Sequence, residues 1–135
     1  MNDFIDKDEL LLRQVHPNFI VEGRISSQAF LPTAKDDKKL SVNRNSMVSA
    51  KEAFELHTQE KKLKSTGVWA VSVEEVVSLD SLAIEPDPIE VPIQDRSHAL
   101  IDFSKLPSES RIRSTAKNLA EKAQDRDCLY EPGVK

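Results

Sequence analysis

Cysteine occurs once in the 135 residues, at Cys128, so neither an intramolecular disulfide nor a cysteine-based zinc cluster can form. Cys128 is read as a small, partly buried hydrophobe. Glycine occurs only at Gly23, Gly67 and Gly133, too scattered to cradle a phosphate. The sequence has no GxxxxGK[ST] loop, GxGxxG turn, HExxH helix, GxSxG elbow or EF-hand loop. Long apolar runs are missing as well. The longest are Leu10-Leu11-Leu12 and Val68-Trp69-Ala70-Val71, against the roughly 20 residues a bilayer-spanning helix needs. The N-terminus carries Asp3, Asp6 and Asp8 rather than a basic start and an apolar stretch, so no secretory signal is read and a cytoplasmic location is expected.

Aromatic residues make up only 5% of the chain and the isoelectric point is about 5.4, a poor composition for a nucleic-acid surface. Four bases, Arg111, Arg113, Lys117 and Lys122, line the last expected helix, but Glu109 and Glu121 interrupt them.

What is present is a soluble-domain composition of 39% apolar and 31% charged residues. The length bounds the chain at one domain, 1–135, with loose termini at 1–8 and 131–135. The net charge of −4 is unevenly distributed: between Val68 and Ser104 eight acids face one base, a charge of −7, which leaves +3 for the rest. The middle of the chain is acidic and its flanks are mildly basic.

Residues 9–15 (ELLLRQV) read as a strand, or as a helix starting at Asp6, ended by Pro17. Residues 16–39 lack a clean period and read as a long ordered loop with one short strand around Phe30, followed by a mixed-charge turn at 35–39. Leu40 to Arg44 alternates as a half-buried strand does. Ser49 and Glu52 have capping-box spacing and open a helix to about Lys64, with Lys61, Lys62 and Lys64 at its end and Gly67 stopping it.

Val68 to Val73 is the strongest strand. A second capping box, Ser72 with Glu75, predicts a short helical turn directly after it. Residues 82–84 read as a short strand, Pro86, Pro88 and Pro92 force an extended connection, and HALIDF (98–103) is another buried strand. Ile112, Ala116, Leu119, Ala120 and Ala123 keep helical spacing to about Gln124, and residues 128–130 add a last edge strand. The expected fold is α+β: a mixed or mostly antiparallel sheet of four to six short strands with two main helices packed on it.

Two places carry candidate chemistry. In the first third, Arg13, Arg24, Ser26, Ser27 and Arg44 can bind an anion through charge-assisted contacts, and Arg13, His16, Arg24 and Ser27 are expected to converge. The same serines can equally satisfy their own turns. His16, Ser27 and His98 are the candidate catalytic residues, His98 as acid or base. His16 and His98 can meet if their strand ends are adjacent. Asp102 lies four residues beyond His98, about 13 Å along a strand, too far to join them at a metal, so no metal site and no cofactor is expected. His57 is read as a surface or boundary residue of the first helix.

The second place is the acidic, proline-rich middle. Glu85, Asp87, Glu90 and Asp95 are expected to form a docking surface for a protein partner with a basic face. The leading functional reading is therefore a protein-binding or regulatory module, of the kind found in bacterial stress, toxin–antitoxin or defence systems. The alternative is an enzyme or toxin acting on a nucleotide or nucleic acid through a polar pocket near the N-terminal loop. An enzyme requires a concave pocket joining that loop to the strand ends; a docking module requires an exposed acidic face around residues 80–96.

Overall fold

Strand β5, Gly67–Ser72, is buried at all six residues, as its run of β-branched and aromatic side chains requires. It lies beside β1, Leu10–Val15, in a fully paired antiparallel register from Leu10↔Ser72 to Val15↔Gly67. Around them the chain builds one five-stranded antiparallel sheet with β4 (Lys39–Arg44), β6 (Ala83–Pro86) and β7 (His98–Asp102), in the order β5-β1-β4-β7-β6. This computed structural model describes residues 6–32, 38–79 and 82–132. The loose termini expected at 1–8 and 131–135 and the mixed-charge turn at 35–39 fall partly outside those residues. So do Thr33, Lys35 and Asp80.

Both faces of the sheet are used. Leu11 and Val15 of β1, Leu40 and Val42 of β4, Trp69 and Val71 of β5, and Ala99 and Ile101 of β7 face one layer. That layer is closed by α3, Glu109–Arg126, through Ile112, Ala116, Leu119, Ala120 and Ala123. The alternate residues Leu12, Val68 and Ala70 face a smaller cluster under α1, Ala50–Glu55, with Ala53, Phe54 and Tyr130. Period-two strands and a period-3.6 stripe thus separate into layers as the patterning demands. The α+β class holds, with a third short helix, α2 (Val73–Val77), beside the two main ones.

Four local differences from the sequence reading have physical causes. The expected strand around Phe30 is a 3-10 turn, Ser27–Phe30, because Ala29 and Phe30 are buried under α3 instead of pairing with a strand. Ahead of it, β2 (Ile20–Val21) and β3 (Arg24–Ile25) form a minimal hairpin. Its turn residues Glu22 and Gly23 both take positive φ, at 52° and 81°, as a tight two-residue turn requires. The first helix is α-helical only to Glu55 and continues as one π turn, Leu56–Glu60, in which the Thr58 hydroxyl donates to the Phe54 carbonyl at 2.9 Å. The last edge strand is a single bridge, Tyr130 to Val68. A Cβ on Gly67 would stand 2.9 Å from the Tyr130 carbonyl oxygen, so only glycine lets the C-terminal segment lie against β5 there.

Candidate active site where β1 and β4 part

Whereas β1 pairs with β5 along its whole length, it pairs with β4 only at Leu11↔Arg44 and Leu12↔Asn43. Past Leu12 the sheet opens between them. Arg13 bridges the opening, donating from Nε to the Ala29 carbonyl at 2.7 Å and from Nη1 to the Ser41 carbonyl at 3.0 Å. A cleft of about 130 Å³ lies there, bounded by Arg13 and Gln14 of β1, Ser41 and Asn43 of β4, His98 of β7, and His57, Lys61 and Leu63 from the π turn and its exit.

Strand alternation brings the polar groups together. Ser41 and Asn43 alternate with the buried Leu40 and Val42, and His98 precedes the buried Ala99, so all three point away from α3. Asn43 is in register with His98.

The His98 ring is buried and held at both nitrogens. Nδ1 stands 2.9 Å from the Asp87 carbonyl oxygen and 3.1 Å from Asp87 Oδ2, while Nε2 stands 3.0 Å from Ser41 Oγ. A carbonyl and a carboxylate can only accept, so Nδ1 carries the hydrogen. In the neutral ring Nε2 is then the acceptor, and the Ser41 hydroxyl donates to it. Serine, imidazole and carboxylate stand in the sequence a base-activated nucleophile uses. Ser41 is exposed, as an attacking group must be.

A second network borders this one. The Asp95 side chain is 1% exposed and accepts from Lys61 Nζ at 2.9 Å, from Asn43 Nδ2 at 3.0 Å and from Ser97 Oγ at 2.9 Å. Burial alone would raise its pKa, but these hydrogen bonds and the Lys61 charge outweigh it and hold the carboxyl below its ordinary range. His57 is shifted down by burial, helped by the positive charges of Lys61 and Arg13 and opposed by a hydrogen bond to the Lys64 backbone. Gln14 accepts from Ser65 Oγ at 2.8 Å, while its Nε2 is buried with no hydrogen-bond partner among the described residues. Leaving such a donor unpaired costs about 1–3 kcal/mol.

A comparison with known protein families, with curated proteins and with solved structures finds no match.

The expected convergence of Arg13, His16, Arg24 and Ser27 does not occur. Arg13 and His98 share the cleft, but Arg24 and Ser27 border a different groove, against Lys117, Glu121 and Gln124 of α3. His16 caps the 3-10 turn at Pro17–Phe19, its Nδ1 accepting from the Asn18 backbone at 3.0 Å, and its ring packs on Phe19. It does not meet His98, because His98 is in register with Asn43 and through it with Leu12, short of the strand end where His16 stands. Ser26 heads the turn before Phe30 and its backbone N–H donates to the Phe19 carbonyl at 2.8 Å, but its side chain makes no capping hydrogen bond. Arg44 is committed to Glu9, with Nε and Nη2 at 3.0 and 2.9 Å from its two carboxylate oxygens.

The acidic docking surface changes as well. Asp95 is buried and paired with Lys61, so it cannot contribute to a surface. Glu85 pairs with Lys39 at 3.0 Å and Asp87 with His98, while Glu90 accepts from Gln94 and stays exposed. Sequence reasoning missed Ser41, Gln14, Lys61 and the part His57 and Asp87 play. Their only local signal was Ser41 and Asn43 at alternate positions of a strand whose other face is apolar.

Proposed function

We propose that the chain is an enzyme of the hydrolase class that uses Ser41 as nucleophile, His98 as general base and Asp87 to orient His98. The observation that carries this reading is the continuous hydrogen-bonded line Ser41 Oγ–His98 Nε2, His98 Nδ1–Asp87. Ser41 Oγ attacks the acyl carbon of an ester or amide while its proton passes to His98 Nε2. The bond to the leaving group then breaks, and that group takes the proton from His98. Water, deprotonated by the same nitrogen, cleaves the acyl-serine and restores Ser41. Arg13, whose Nη1 donates to the Ser41 carbonyl, lines the same cleft, so its positive charge is at hand for the substrate carbonyl oxygen on which negative charge develops. The cleft is smaller than the roughly 300–1,000 Å³ of drug-sized sites, which limits the substrate to a small molecule.

This keeps His98 and the enzyme class of the alternative reading, but replaces His16 and Ser27 by Ser41 and Asp87 and a nucleotide or nucleic acid by a small ester or amide. Of the four carboxylates of the docking-module reading Asp95 is buried, while Glu85 and Asp87 keep 46% and 50% of their side-chain surface exposed beside Lys39 and His98, and Glu90 is exposed.

The test is reaction of the full chain with a serine-directed fluorophosphonate, read by peptide mass spectrometry, together with turnover of small activated esters. The adduct is expected on Ser41 and absent from Ser41→Ala, and His98→Ala should slow both reactions by about 10²–10⁴-fold. No adduct on Ser41, or turnover undiminished in Ser41→Ala, overturns the proposal.

A further inference from the structure

We infer that the substrate carries an oxyanion, a carboxylate or a phosphate, which seats in the cleft between Gln14, Lys61 and Arg13 beside His57. Naming this group as part of a substrate rests on the nucleophilic role of Ser41; binding of the anion itself does not.

Three observations carry the inference. First, the cleft is lined mainly by donors. Arg13, Lys61 and Gln14 border it, and no Asp or Glu is among its lining residues. Asp95 is enclosed by Lys61, Asn43 and Ser97, and Asp87 stands behind the His98 ring, bound to Nδ1 on the side away from Ser41. Second, Gln14 Nε2 is buried without a partner among the described residues, while Oε1 of the same amide is tied to Ser65 Oγ. A folded chain rarely leaves such a donor idle, and an acceptor delivered by a ligand satisfies it. Third, the size of the cleft, about 130 Å³, suits a carboxylate- or phosphate-sized group rather than an extended one.

The electrostatics agree. His57 faces the Lys61 and Arg13 cations, with Asp95 engaged beyond Lys61, and both cations disfavour its protonation. An anion placed among them reverses that bias.

The probes are inorganic phosphate and acetate, added separately to the full chain while the His57 imidazole is titrated by NMR. The bound anion is expected to raise the His57 pKa by roughly one unit, and the anion producing the larger shift tells phosphate from carboxylate. Gln14→Leu should weaken that anion about tenfold. With ester substrates bearing the preferred anion, Gln14→Leu should raise KM more than it lowers kcat. Lys61→Met combined with Asp95→Asn, which leaves no buried carboxylate unpaired, repeats the test with a second side chain if Gln14→Leu does not fold. If neither anion moves His57, or if the shift survives both substitutions, the inference is overturned. Anion binding without fluorophosphonate reaction at Ser41 would remove the enzyme reading and leave this site. Reaction at Ser41 without anion binding would do the reverse.

Discussion

Lys61 and Asp95 illustrate how a residue's surroundings overrule its type. From sequence, Lys61 closes a helix and Asp95 belongs to an acidic surface; in the fold they make one ion pair, with Asp95 at 1% side-chain exposure and Lys61 at 23%. Removing the cation leaves a buried carboxylate with Asn43 and Ser97 as its side-chain donors among the described residues. Lys61→Ala is therefore expected to destabilise the chain by roughly 3 kcal/mol, the lower end for breaking a buried pair, since the ammonium keeps some contact with water. The double variant Lys61→Ala with Asp95→Asn should lose less than the sum of the losses of Lys61→Ala and Asp95→Asn. Urea unfolding of the four proteins measures this, and strict additivity would contradict the pairing. Neither residue's partner was legible, because 34 residues separate them and only the β4–β7 register and the π turn bring them together.

At the scale of elements, local signals were legible wherever the chemistry is local. Both capping boxes form: Ser49 Oγ accepts from the Glu52 N–H and Ser72 Oγ from the Glu75 N–H, each at 3.1 Å, and both glutamates reach back to the cap backbone. They differ in what else depends on them. The Ser49 box is exposed, whereas Glu75 also receives Arg126 from α3 at 2.8 Å, tying α2 to α3. Ser72→Ala should cost about 1–2 kcal/mol and Ser49→Ala about 1 or less in thermal or urea unfolding. Equal losses would show that the Arg126 link adds nothing. The strands at 10–15, 39–44, 67–72 and 98–102 and the apolar stripe of α3 were readable from period alone. The π turn was not. It inserts a residue without changing composition, and the only local trace is the Thr58 hydroxyl bonded to the Phe54 carbonyl.

For the molecule as a whole, the groups that titrate below neutrality set a pH dependence of one sign. His57 has a folded pKa below its ordinary 6.5, so the unfolded chain binds its proton first. Stability is therefore expected to fall as pH drops below about 6.5, until the folded pKa is reached. Glu9, Glu75 and Asp95 are also held below their ordinary values: burial pushes each of them up, but hydrogen bonds and partner cations outweigh it. The stability they contribute is complete above about pH 5 and is lost as pH falls through their folded values. Denaturant unfolding at pH 7.5, 5.5 and 3.5 should show two successive losses, the first absent from a His57→Phe variant. A chain more stable at pH 5.5 than at pH 7.5 would contradict the His57 environment.

Sequence by itself determined the α+β class, most strands and helices, both helix caps and the division of each element into an apolar and a polar face. Those follow from side-chain period and backbone chemistry within a few residues. It could also place Ser41 and His98 on strands. It could not place them side by side. That was decided by the tertiary structure, through the strand order β5-β1-β4-β7-β6 and the registers linking Leu12, Asn43 and His98. The opening of the sheet past Leu12 was decided there too, and with it a cleft assembled from β1, β4, β7 and the π turn. Strand order and register depend on which distant apolar faces pack best against α1 and α3, and no window of the sequence contains that competition.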